Sequence, residues 1–436
     1  MTIFTNFILP ILFSVFFIYL IIKLNFFQVN ELTKKITVSL FIIKVISGTI
    51  LTLIYTYYYT DYENSDIYKY FDDSYLMYKS LASNPIDYVK MVSGIGCDNQ
   101  YFYDTYFSKM AFWYKEWDYH LYNDNRTVIR FNAIVRLFSF GSIHVHTVVM
   151  SFLSFVGLFS IYKLFINFIK DKNILLIFSI FLLPSVLFWT SGVLKEGLLI
   201  FAFGLMIYKF YKLLNKFTIL DFSIFAISVF ILSLVKFYIL LAAVPGIITL
   251  IWLKYTDYKR PLLKFLIVHL SLFIIAINID YMLLVLHKKQ KDFIVSLDDL
   301  SLVGSYFKIP TLEPNAWSLI KNIPIAIFNT MFRPFILEAN SVVVLVAAFE
   351  NLIIIFAIIL SLIFFKLKGI SNKSWFWFCV FFTIIVFALC GLVTPVMGAL
   401  VRYKVPALPF LFLIFVFLID YERLKKYIPF IPNYKQ

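Results

Sequence analysis

The segment Asp66-Ile-Tyr-Lys-Tyr70-Phe-Asp72-Asp73 places three carboxylates within two helical turns. On a helix, Asp66, Tyr70 and Asp73 fall at i, i+4 and i+7 and share a face, while Asp72 points away. A carboxylate aimed at an acceptor hydroxyl can take its proton as a general base. Six basic residues, Arg126, Arg130, Lys195, Lys236, Arg333 and Arg402, suit the complementary task, with Lys404 beside the last. A guanidinium meets an oxyanion through a planar fork and an ammonium meets it as a point charge. Such a set can hold a phosphate or diphosphate and stabilise it as it leaves. Arg126 and Arg130 are one turn apart on one face, and Arg136 lies on another. Glu196 and Glu338 supply nearby carboxylates, and Tyr70 and Tyr403 flank the acidic and basic positions. Each residue alone has a plainer reading. Acids at a helix start complement its dipole, interfacial arginines meet lipid headgroups, and Lys195 and Glu196 can snorkel or pair with each other.

These residues are carried by a chain that is 61% hydrophobic and 15% charged over 436 residues. That composition belongs to a polytopic membrane protein. Its apolar runs are continuous rather than alternating, which calls for helices and excludes barrel strands. About eleven spans are expected: 3–22, 37–58, 143–162, 174–189, 198–211, 219–235, 239–253, 265–286, 341–365, 375–396 and 407–419. The first run has no basic residues before it and no small-residue cleavage site after it, so it reads as a retained span. Polar islands remain at 59–142, 190–197, 236–238, 287–340 and 397–406. Alternating the spans puts all five on one face, as parts of a single membrane domain over 1–436 with outer loops 59–142 and 287–340. The opposite loops and the C-terminal tail, counted from the sequence, hold 20 basic and 6 acidic residues, whose difference equals the whole formal charge of +14. By the positive-inside rule that face is cytoplasmic, the N-terminus is outside and the C-terminus inside. The basic balance is therefore topological and implies no nucleic-acid partner.

The loop from 59 to 142 is rich in Tyr and Trp, and Ser65 is placed to N-cap a helix over 66–82 lying at headgroup level. The turn Trp189-Thr-Ser-Gly-Val-Leu-Lys195-Glu196 leaves two charges near membrane depth, where each costs about 2–3 kcal/mol at the centre. Lys44 lies inside a span. Cys97, Cys379 and Cys390 imply no disulfide. His144 and His146, two residues apart, diverge on a helix and make a poor metal pair.

With these features the chain resembles the GT-C superfamily of integral-membrane glycosyltransferases. Members have a long first extracytoplasmic loop that carries amphipathic helices and opens on an acidic motif. Asp66 to Asp73 occupies that region, with an Asp72-Asp73 pair in place of the family's Asp-X-Asp. Arg402-Tyr403-Lys-Val-Pro406-Ala-Leu-Pro409 is similar to the Arg-Tyr and prolines near the end of many such enzymes. The resemblance implies inverting transfer of a sugar from a polyprenyl-phosphate-linked donor to a glycan, lipid or protein acceptor, within the bilayer of a cytoplasmic membrane. Asp66, Asp72 or Asp73 would be the base and the basic set would bind the donor phosphate. It makes no cofactor certain, and a divalent cation, Mg or Mn, is an option it leaves open. Two other functions fit the same topology: an O-antigen or exopolysaccharide polymerase or ligase, for which the 287–340 loop speaks, and a non-enzymatic lipid or polysaccharide transporter. A transporter would show repeated halves and broken mid-membrane helices.

Overall fold

The computed structural model describes residues 3–58, 65–114, 122–298, 306–366 and 370–427. The basic residues Lys368 and Lys435, used in the charge count, lie outside them. The described residues form helices, with isolated bridges and no strand. Among them eight helices are long and apolar enough to cross a membrane: α1 (Phe4–Lys23), α2 (Lys34–Tyr58), α7 (Ile143–Phe165), α10 (Lys195–Asn215), α12 (Phe237–Tyr255), α16 (Val342–Ile363), α17 (Lys373–Val393) and α18 (Met397–Leu418). The first loop contributes α3 (Asp66–Ser83), α4 (Pro85–Ser93), α5 (Gln100–Thr105) and α6 (Asn125–Ser139). The chain is an all-α, multi-pass membrane protein.

Three expected spans take other forms. The run 174–189 is broken into α8 (Asn173–Leu182) and α9 (Pro184–Trp189). Leu183 is extended between them because Pro184 disfavours helix at the residue before it. The run 265–286 becomes α13 (Pro261–Ile277) and α14 (Asp280–Asp298), bent by 79° at the break. The last span begins at Met397, where a 3₁₀ turn over Val405–Ala407 absorbs Pro406. The remaining apolar run is α11 (Ile219–Val235), shorter than the long spans. Inside the 287–340 island lies an apolar helix, α15 (Ala316–Phe332), which packs along α17. Gly391 permits that approach, since a Cβ there would stand 2.1 Å from Ala326 O. The helix α19 (Tyr421–Tyr427) closes the described chain.

The chain divides into two compact units, Met1–Lys163 with Leu187–Leu213 and Phe217–Phe237, and Leu164–Val186 with Leu214–Lys216 and Tyr238–Gln436. In the first unit, phenylalanines join the spans: Phe17 stacks on Phe152 at 4.2 Å, and Phe27 meets Phe155 and Phe159. The α7–α10 crossing is made by glycines, as helices in lipid often require. A Cβ on Gly204 would lie 2.0 Å from Gly157 O. In the second unit, Leu283, Leu312, Leu319, Ala326 and Leu392 form a core between α14, α15 and α17. Lys172 donates to Val416 O and Ile419 O and so caps α18; burial lowers its ammonium to about 8.

Candidate functional site

The charged residues that meet in the first unit centre on Asp124, the residue just before α6. Lys195, the first residue of α10, pairs with its carboxylate at 2.9 Å, and Lys236, just past α11, at 3.5 Å. The side chains are 18%, 10% and 11% exposed, so water screens them weakly. Local sequence explains the meeting. Asn123 holds the loop before α6 by donating to Phe112 O and Trp113 O and accepting from Asn125 N. Thr127 donates to Leu234 O and so ties the first turn of α6 to the end of α11, two residues before Lys236. Tyr70 donates to Asn125 Oδ1 at 3.0 Å, and its ring lies 6.0 Å from Lys195 Nζ. Helices α3, α6, α10 and α11 thus converge here. Asp66 stands one turn before Tyr70 on α3, half-buried, and Glu196 is buried beside Lys195.

The cluster is recessed. The Thr190–Leu194 turn that precedes Lys195 packs against the interior of α2, where Gly192 meets Leu51, and Gly197 meets Met150 of α7. From Leu51, α2 continues to Tyr58, about 10 Å farther at the helical rise.

Other residues named from sequence take structural partners. Asp73 accepts from Ala111 N and Phe112 N, both at 2.8 Å, and so fixes the chain after α5. Burial pushes its carboxyl up to about 6, against the pull of those two donors. Asp72 is on the exposed side of α3. Ser65 is the N-cap of α3 by position, but its side chain makes no capping bond. Arg126 and Arg130 both stack on Trp113, at 4.8 and 5.3 Å, with their Nε atoms on Trp113 O and Met91 O. Arg136 is buried on Ser74 and Phe71 O. Asp98 stands 3.8 Å from Arg126.

In the second unit, Arg333 pairs with Glu338 at 3.2 Å. Arg402 is half-buried on α18, and Tyr403 O accepts from Tyr238 OH. Lys404 is buried and donates to Thr330 O, Arg333 O and Asn351 Oδ1, closing the C-terminal end of α15. Glu350, fully buried, accepts from Ser185 N at 2.6 Å and caps α9. Among the described residues no cluster of three His, Cys, Asp or Glu side chains is arranged to hold a metal ion. Sequence reasoning missed Asp124, which hid as an ordinary acid at a helix start; the flanking Asn-Asp-Asn before an arginine-rich helix was its only signal. No protein family, curated protein or solved structure matches the chain.

Proposed function

We propose that this protein is a membrane glycosyltransferase that moves a sugar from a polyprenyl-phosphate-linked donor to an acceptor on the extracytoplasmic side. The observation that carries the reading is the recessed Asp124–Lys195–Lys236 cluster, where α10 begins and α11 ends, joined by the loop helices α3 and α6. A lipid carrier presents its phosphate at the ends of membrane-spanning helices while its chain stays in the bilayer. In this reading Lys195 and Lys236 bind the donor phosphate, and Asp124 holds both ammonium groups in place. Asp66 takes the proton of the acceptor hydroxyl. The acceptor oxygen bonds to the anomeric carbon as the bond to the phosphate oxygen breaks; the electron pair passes to the phosphate, where the lysines stabilise it. Attack opposite the leaving phosphate inverts the anomeric centre.

The test is a deletion strain analysed for envelope glycans and lipid-linked sugars. Loss of one sugar from a glycan, lipid or protein, with accumulation of its polyprenyl-phosphate donor, is expected. Restoration should follow from the wild-type chain and not from Lys195→Met. Unchanged glycans and no accumulated donor would overturn the reading.

A further inference from the structure

Lys44 is fully buried within α2, a membrane-crossing helix. Its Nζ donates to Thr190 Oγ1 at 2.6 Å, and it forms no ion pair among the described residues. A lysine inside a span is costly and calls for a specific task. The face of α2 that carries it follows the Thr190–Gly192 turn residue by residue. Lys44, Gly48 and Leu51 stand at i, i+4 and i+7, one above the other. Lys44 binds Thr190. Gly48 makes room for Ser191, since a Cβ there would lie 2.5 Å from Ser191 O. Ser151 of α7 donates to that same oxygen at 2.8 Å. Gly192 makes room for Leu51, whose Cδ2 would lie 2.4 Å from a Cβ. The glycine contacts set how close the turn can come, but apolar contact tolerates sliding. The two hydrogen bonds do not, and of these the Lys44–Thr190 bond is the one that ties the turn to α2, because one donor must meet one hydroxyl at one level of the helix. Three residues after Gly192 the chain reaches Lys195 and its bond to Asp124.

We infer that Lys44 is a positioning residue, whose bond to Thr190 fixes the depth and register of the Thr190–Leu194 turn and thereby holds Lys195 beside Asp124. Only its consequence for turnover rests on the glycosyltransferase reading. The test is hydrogen–deuterium exchange of the full chain in lipid nanodiscs, comparing wild type, Lys44→Met, Thr190→Val and the double variant. Exchange in peptides over 190–196 should rise about tenfold or more in each single variant, with the double no worse than the singles. Thermal stability should hold or improve in Lys44→Met, because an apolar chain of similar size replaces a buried charge. Thr190→Ser, which keeps the hydroxyl, should behave as wild type. Unchanged exchange over 190–196 in folded Lys44→Met overturns the inference; should that variant not fold, unchanged exchange in Thr190→Val overturns it. The expected exchange pattern across the variants, together with a wild-type protein that transfers no sugar, supports the positioning role and counts against the proposed function alone.

Discussion

Replacing Asp124 by Asn removes a carboxylate shared by Lys195 and Lys236 without changing its shape. At 2.9 and 3.5 Å, and with an effective dielectric of about 20, the gross attractions are about 6 and about 5 kcal/mol. Desolvation of the three groups offsets most of that. What remains when one partner is deleted is the cost of two ammonium groups that have lost a shared carboxylate in a poorly hydrated place. For a fully buried pair that cost is about 3–5 kcal/mol. Asp124 keeps 18% of its side-chain surface exposed, so water relieves part of it, and we expect a loss of about 2–3 kcal/mol. Pairing Asp124→Asn with Lys195→Met should return about 1–2 kcal/mol of that as coupling energy. Equilibrium unfolding of the four proteins in mixed micelles, followed by far-UV circular dichroism, measures both quantities. An Asp124→Asn variant within about 0.5 kcal/mol of wild type, with no coupling to Lys195, would refute the claim that these charges meet in a weakly screened cluster.

Three further outcomes follow from other parts of the molecule. Gly204→Leu should abolish folded protein, because its Cβ would stand 2.0 Å from Gly157 O, whereas Gly398→Ala, with nothing within 4 Å, should be neutral; detergent-extracted yield and size-exclusion profile decide this. Asp73 is raised from 3.8 to about 6 in the fold, so the folded state holds the proton more tightly and the full penalty is present above that value. Lowering the solution from about pH 7.5 to about pH 5 should therefore stabilise wild type by about 1.4 kcal/mol relative to Asp73→Asn, and a flat difference in unfolding midpoint would contradict it. Ser93 is exposed at the end of α4 while the three native cysteines are buried, so an impermeant thiol reagent should label Ser93→Cys in intact cells. Labelling only after permeabilisation would invert the topology.

Long apolar runs made the helical class legible, because each must satisfy its own backbone within lipid. Pro184 foretold a break, though it was read as part of one span; the bend at Asn278 has no proline behind it and gave no local sign. Helix α15 was hidden in a polar island because its apolar stretch is short, and the glycine-permitted contact with α17 makes it part of the packed helices. The basic residues of the candidate site could be named one by one, but their partners could not. Arg126 and Arg130 looked free for a phosphate, yet Trp113 engages both. Asp124 acquires its meaning from Lys195 and Lys236, which reach it from the ends of two later helices, and no local spacing encodes such a meeting.

The central claim is that Lys195 and Lys236, held by Asp124, receive the phosphate of a lipid-linked sugar. Its most direct test is turnover of a radiolabelled polyprenyl-phosphate sugar by the purified chain in nanodiscs, beside Lys195→Met, Lys236→Met and Asp66→Asn. The account predicts release of free polyprenyl phosphate by wild type. It predicts weakened donor binding in the two lysine variants, and donor binding without turnover in Asp66→Asn. Wild-type donor binding and turnover in a folded Lys195→Met, Lys236→Met double variant would contradict it.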